Sequence, residues 1–383
     1  MNIHNFNTSI EKKGLPNIGN TCFANSIMQI LFNTKELITI LEKYILLSSH
    51  EEYKNAFSFI KLFMEVREHR NPQSVHQFFR AGEFQKSGFA AFEQQDAQEF
   101  YSFVMDKMHE SIQRKVDVEI KNKNGDNKLV NTIENIEQIK NKMNISIDDL
   151  ALLCYNAEST FKKWSNGEYS EIQYLTYGIS YTKLWNNSQY PPKSRIGEPE
   201  MFFMISFSMN PSSPIIRLKE CFTDYLKDEF VDSTNGFKFD NTIPEEHNKK
   251  IYFWNLPKIL VVQLKIFNYN VLENNNTMPL LHQIHNKTKI NKPIELDFIL
   301  DLNEFVSGYD KTSNIYELYG ICCHIGNTLQ FGHYISFIKE NSTSSWICFN
   351  DDNVFNVQED LLNNELNNNQ LNPYLLFYRK KNN

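Results

Sequence analysis

The chain has 383 residues, 41% of them hydrophobic and 14% aromatic, which suits a large buried core and not a disordered chain. Its formal net charge of −7 argues against a general nucleic-acid binder, which depends on a basic patch. No stretch approaches the roughly 18 apolar residues of a membrane span, so no membrane partner is expected.

Residues 1–13 read as a polar, flexible lead-in with no apolar run of the secretory kind. The expectation is therefore a cytoplasmic or nuclear chain, in a reducing compartment. Its six cysteines, Cys22, Cys154, Cys221, Cys322, Cys323 and Cys348, would then be free thiols. After Cys22, the residues Ile27, Ile30 and Leu31 fall at helical spacing. A second helix opens at Asp96, where Asp96-Ala97-Gln98-Glu99 has the form of a capping box and Phe100, Phe103 and Val104 make the buried stripe. Residues 117–144 are rich in Asn, Lys and Glu, contain Asn124-Gly125, and read as a mobile insertion.

From about residue 201 the pattern changes. Segments 201–207, 259–267, 316–323, 333–338, 346–349 and 374–378 are rich in β-branched and aromatic residues and read as strands. One helix interrupts them: Leu218, Cys221, Phe222, Tyr225 and Leu226 share a face, which makes Cys221 a core residue. Helices first and mostly antiparallel strands later make an α+β arrangement without fixed-period repeats.

A lone cysteine is more often a small buried hydrophobe than a nucleophile. Cys22 has a different context. It ends Gly14-Leu15-Pro16-Asn17-Ile18-Gly19-Asn20-Thr21-Cys22, a loop of turn-forming residues that runs straight into a helix. Unpaired N–H groups and the helix dipole favour a thiolate at such a position. A thiolate nucleophile needs an imidazole. Most of the ten histidines lie in polar segments, but His333 follows Phe331-Gly332 and opens an apolar strand; His324, in Cys323-His324-Ile325-Gly326, is its rival. The base needs an acceptor for its second ring nitrogen. The next strand, which would pair with that of His333 as a hairpin, ends in Phe349-Asn350-Asp351-Asp352, so Asn350 or Asp351 can serve. Together these residues suggest a papain-like Cys–His–Asn/Asp protease.

Residues 14–29 resemble the Cys box of the ubiquitin-specific proteases, Gly-Leu-x-Asn-x-Gly-Asn-Thr-Cys with a following Asn-Ser. Residues 319–357 resemble the His box of that family, with His-x-Gly, then Gly-His-Tyr, then Trp-x-x-Phe-Asn-Asp. Gln94-Gln95-Asp96-Ala97-Gln98-Glu99-Phe100 is similar to a third element. Leu256-Pro257 with Leu260, Leu264-Lys265 and Phe267, then Leu300-Asp301-Leu302, then Tyr374 with Leu376-Phe377-Tyr378, match three more. Six elements in family order span about residues 14–380.

The resemblance implies a papain-like thumb–palm–fingers architecture in one catalytic domain, 14–380. The helical thumb would be about 14–115, with fingers and palm about 145–380. It implies hydrolysis of the isopeptide or peptide bond after the C-terminal glycine of ubiquitin, with ubiquitin and ubiquitinated proteins as partners. By the same resemblance Cys22 is the nucleophile, His333 the base, Asn350 the third member and Asn17 the oxyanion donor. Without the resemblance, Asn17 is a turn residue after Pro16. Asp96, beside the channel for the arginine-bearing ubiquitin tail, would bind substrate, with His324, Tyr334 and Asp351. As a plain N-cap, Asp96 would use its carboxylate on its own helix.

Many members hold a structural zinc in the fingers with two Cys-x-x-Cys pairs. This chain has none, neither at Tyr177-Gly178-Ile179-Ser180 nor at Phe237-Lys238-Phe239-Asp240, so no metal and no cofactor are expected. The family's Leu-Lys-Arg-Phe reads Leu264-Lys265-Ile266-Phe267. Two other readings stand beside a deubiquitinase: a protease for another ubiquitin-like modifier, and a catalytically weak ubiquitin-binding scaffold. A monomer is the expected state.

Overall fold

The computed structural model describes residues 12–50, 57–85, 93–118, 145–188, 193–209, 213–239, 243–269, 287–290, 292–308, 313–326, 332–340, 345–367 and 371–381, with 87, 89 and 141. The expected insertion at 117–144 and the first part of the lead-in lie almost wholly outside them.

Helices come first: α1 (Cys22–Phe32), α2 (Lys35–Leu47), α3 (Ser58–His69), α4 (Pro72–Phe79), α5 (Gly82–Gln85) and α6 (Ala97–Ile112). Every residue of α1 is buried, Asn25, Ser26 and Gln29 included. A helix without a solvent face is a central rod, and α2 and α6 pack on it, as do the strands Ile315–Gly326 and Gly332–Lys339. Phe23 meets Phe100 of α6 edge to face at 5.4 Å. Arg70, left-handed at φ 49° and buried, donates to Gln29 Oε1 at 2.8 Å and to the Lys13 carbonyl. That bond fastens the entering chain to α1. Asp96 caps α6 through the Gln98 N–H at 2.7 Å, instead of the third-position N–H that a capping box uses. Phe100 and Val104 are buried as the spacing predicts, and Phe103 is half-buried.

The fingers begin with α7 (Ile147–Ser165) and α8 (Glu171–Thr176). Leu150, Leu153, Cys154 and Ala157 of α7 pack beneath Ile179, Tyr181 and Trp254. These three belong to a sheet of β1 (Gly178–Asn186), β2 (Lys193–Ile196), β3 (Glu200–Phe202), β6 (Glu229–Val231) and β7 (His247–Asn255). The palm sheet contains β4 (Ile205–Ser208), β8 (Ile259–Lys265), β12 (Ile299–Asp301), β13 (Ile315–Gly326), β14 (Gly332–Lys339), β15 (Ser345–Asn350), β16 (Asn353–Gln358) and β17 (Asn372–Lys380). Its order is β16-β15-β14-β13-β17-β8-β4, with β12 on β13, and its pairs are antiparallel except β4 with β8. Two short pairs flank it: β5 (Ile216–Arg217) with β11 (Ile294–Glu295), and β9 (Phe267–Tyr269) with β10 (Lys287–Lys289). Helices α9 (Leu218–Tyr225) and α10 (Glu359–Asn367) complete the described elements. This is an α+β fold, with helical thumb, palm and fingers.

Three local expectations change. The segment 201–207 is two strands in two sheets, β3 and β4. The chain crosses from fingers to palm between them, where Phe203 stacks on Tyr101 at 5.1 Å. Cys221 is half-buried at the rim of the core, while Leu218 and Phe222 of the same helix are buried. Tyr177-Gly178-Ile179-Ser180 and Phe237-Lys238-Phe239 do not face one another. Ser180 pairs with Phe253 at the base of the β1–β7 ribbon, whereas Phe237 lies by His247 at its far end.

Candidate active site

The loop into α1 is held from both sides. Gly14 runs so close to the backbone of Asp351 and Asp352 that a Cβ there has no room, and the Leu15 N–H donates to the Asp351 carbonyl at 3.0 Å. Inside the loop, Asn17 Oδ1 accepts from the Gly19 N–H and the Thr21 N–H, each at 3.1 Å. Gly19 at φ 122° and Asn20 at φ 55° make the left-handed bend that permits this. The result places Cys22, 3% exposed, as the first residue of α1.

The palm supplies the partner. β14 and β15 pair antiparallel, Ser336 opposite Phe349, so His333 near the start of one strand meets Asn350 at the end of the other. His333 Nε2 lies 2.6 Å from Asn350 Oδ1. The His333 side chain is also hydrogen-bonded to the Cys22 side chain, for which Nδ1 is the remaining ring nitrogen. That bond to Cys22 is the largest cause that pushes the imidazole up to about 9. The Asn350 bond and the charge of Asp351 add to it, against burial. The arrangement is a thiol and an imidazole in contact, with the imidazole oriented by a carbonyl oxygen: the requirements of a nucleophilic acyl transfer.

Asp351 is not the orienter. Its Oδ2 is 3.9 Å from His333 Nε2, beyond a hydrogen bond. Its carboxylate instead accepts from Asn17 Nδ2 at 2.9 Å and from Asn25 Nδ2 at 2.8 Å. Asp351, left-handed at φ 50°, forms the β15–β16 turn with Asp352. One residue thus ties the turn after Asn350 to the loop before Cys22.

His324 and Tyr334 belong to the interior. They are 0% and 1% exposed and meet edge to face at 4.8 Å, so neither offers surface to a bound protein in this structure. Burial, with Lys289 and His333 nearby, depresses His324 to about 3, which keeps it neutral. Asp96 spans thumb and palm: besides its cap, its two oxygens accept from the Tyr374 hydroxyl at 2.8 and 2.7 Å. Gln94, which the third motif contains without giving it a role, donates to the Gly332 carbonyl at 2.6 Å, next to His333. Asn25, read in the sequence only as part of the Cys box, is the buried α1 residue that the Asp351 carboxylate holds. Among the described residues, no group of three or more His, Cys, Asp or Glu side chains is placed to hold a metal ion.

The fold and the Cys22–His333–Asn350 set define a papain-like cysteine hydrolase domain. The chain belongs to the ubiquitin carboxyl-terminal hydrolase family, whose model matches residues 13–378. It is 24% identical over 428 residues to ubiquitin carboxyl-terminal hydrolase 4 of Eremothecium gossypii, covering 99% of this chain and 43% of that protein. It is 26% identical over 375 residues to human ubiquitin carboxyl-terminal hydrolase 2, covering 95% of this chain and 54% of that protein. The chain therefore spans about half the length of these curated relatives. In fold it is similar to the SAGA Ubp8/Sgf11/Sus1/Sgf73 DUB module bound to ubiquitin aldehyde. The TM-score is 0.65 at 21% identity, covering 100% of this chain and 72% of that one.

Proposed function

We propose that this chain is a thiol-dependent deubiquitinase that hydrolyses the isopeptide or peptide bond after the C-terminal glycine of ubiquitin. The observation that carries the reading is the contact of Cys22, His333 and Asn350, in a chain of this family. His333, beside the sulfur, takes up the Cys22 proton, and the thiolate so formed is the nucleophile. The thiolate attacks the glycine carbonyl, and its carbon–sulfur bond forms as the carbonyl oxygen takes up charge. Asn17 has two amide hydrogens. One is on Asp351; the other is the donor proposed for the oxyanion, a role worth roughly 3–4 kcal/mol where measured elsewhere. His333 then gives its proton to the leaving amine. Water, deprotonated by His333, cleaves the thioester and restores the thiol.

Asp96 is proposed to face the ubiquitin tail while it caps α6, since a carboxylate accepts several hydrogen bonds. Release of a fluorogenic amine from the ubiquitin C-terminus tests the reading. Wild-type turnover with none in Cys22→Ala is expected; equal turnover in the two proteins contradicts it.

A further inference from the structure

His333 is secured on one edge. On β13 its partner is Ile325, and Gly332 pairs with Gly326, but pairing with β15 begins only at Ser336. The position of the base thus depends on the end of β13. β17, the strand on the other side of β13, reaches only as far as His324, opposite Asn372.

Lys289 occupies the place where a further strand would continue. From β10 its ammonium donates to the His324 carbonyl at 3.0 Å, to the Gly326 carbonyl at 2.6 Å and to His324 Nδ1 at 3.1 Å. The two carbonyls flank Ile325, the partner of His333. An ammonium has three hydrogens and no acceptor, so Nδ1 accepts and the His324 proton sits on Nε2. The ring so fixed stands where a side chain on Gly332 would be, and this is why the residue before His333 is glycine. From the thumb, Gln94 holds the carbonyl of that same Gly332.

We propose that Lys289 is a positioning residue for the base: it holds the end of β13 and wedges the His324 ring against Gly332, which sets where His333 lies relative to Cys22. Its own surroundings fit the role. Burial lowers Lys289 to about 8, while the neighbouring Cys323 acts in the opposite direction. Around His333 itself stand Cys22, Asn350 and Asp351, with His324 between it and Lys289 in charge coupling. A displacement of the imidazole by a fraction of an ångström weakens catalysis without touching the substrate site.

This inference rests on Cys22 and His333 as nucleophile and base. The test is the pH dependence of Cys22 alkylation by iodoacetamide, read on the Cys22 peptide by mass spectrometry, which needs no ubiquitin. Lys289→Met should slow alkylation near neutral pH about tenfold and lower kcat for a ubiquitin substrate by a similar factor, with KM within about twofold. Lys289→Gln, which keeps two donor hydrogens, should fall between. In the wild-type protein the imidazole nitrogen shifts of His324 should report a bare Nδ1 and a protonated Nε2 near neutral pH. A protonated Nδ1, an alkylation profile unchanged in either variant, or a raised KM with kcat intact overturns the proposal. Absence of any thiolate reactivity at Cys22 in the wild type overturns the underlying assignment instead.

Discussion

Asn17 Nδ2 donates to Asp351 Oδ2 at 2.9 Å, so the loop that leads into Cys22 and the turn that follows Asn350 form one unit. The same carboxylate holds Asn25 of α1. Asp351→Asn keeps the left-handed turn, which Asn tolerates. It leaves a single Oδ1 for two amide donors, so one amide must face another. We expect kcat to fall about tenfold, with a stability loss of about 1 kcal/mol. Wild-type kcat together with a wild-type melting temperature would remove Asp351 from the unit.

Asn350 has a separate task. Its Oδ1 accepts from His333, and a carboxylate in its place accepts equally well. Asn350→Asp should retain substantial activity, and Asn350→Ala should lose more than tenfold in kcat as the imidazole turns freely. Steady-state kinetics decide it: a harmless Ala at 350 beside a severe Ala at 351 reverses the two roles.

The pH profile follows from the charge on His333. Its folded value stands at about 9, against 6.5 when unperturbed, because of its bonds to Cys22 and then Asn350. A value raised on folding stabilises the protonated form. That stabilisation is complete below pH 6.5 and is lost as pH rises through about 9. The alkaline limb of kcat/KM should therefore lie near pH 9 and belong to the Cys22–His333 pair as a whole. In Asn350→Ala it should move down, because one cause of the rise is gone. A limb at the unperturbed histidine value in the wild type contradicts the contact with Cys22.

Asp96 supports two structures at once, the α6 cap and the bond from Tyr374. Asp96→Asn keeps a capping oxygen, so the stability loss should stay below about 1 kcal/mol. The charge is gone, and the proposed charge-assisted contact with an arginine of the substrate tail would go with it. A raised KM is expected for Asp96→Asn but not for Tyr374→Phe, which removes the thumb–palm tie and the acceptor of Gln263 Nε2 within the palm. Equal KM in wild type and Asp96→Asn leaves Asp96 a structural role alone.

Side-chain type and local context made Cys22, His333 and Asn350 legible. A glycine- and asparagine-rich loop before a helix, and two adjacent strands with a short turn, are local signals. Asp351 was legible as a candidate but not as a brace, because its partner Asn17 is 334 residues away and linear sequence carries no such distance. The role of Gln94, though the residue stands in a motif, and Lys289 altogether were hidden for the same reason: each acts on the backbone of a distant strand. His324 and Tyr334 sit inside a motif that also carries the base, and motif membership does not separate packing from substrate contact. The finger strands β1 and β7 escaped notice because their half-buried, polar-rich faces lack a strong apolar run.

At the far end of the fingers, Phe237 and Phe239 meet edge to face at 5.2 Å. His247 lies 6.3 and 6.1 Å from their centroids, and Arg195 covers Phe237 at 5.2 Å. Lys193 pairs with Glu245 beside them at 2.8 Å. Packing of this kind can hold a ribbon end without a metal, and Phe237→Ala should cost about 1–2 kcal/mol. A chelator should change neither the melting temperature nor the turnover. Stoichiometric zinc in the purified protein, or unfolding by the chelator, refutes this.

Cys22 is proposed to attack the carbonyl at the C-terminus of ubiquitin. The most direct measurement is reaction of the purified chain with a panel of modifiers, ubiquitin and its relatives, each carrying a C-terminal electrophile, followed by mapping of the adduct. One covalent adduct is expected, on Cys22, fastest with ubiquitin and absent in Cys22→Ala. No adduct, an adduct on another cysteine, or faster reaction with a different modifier would contradict it.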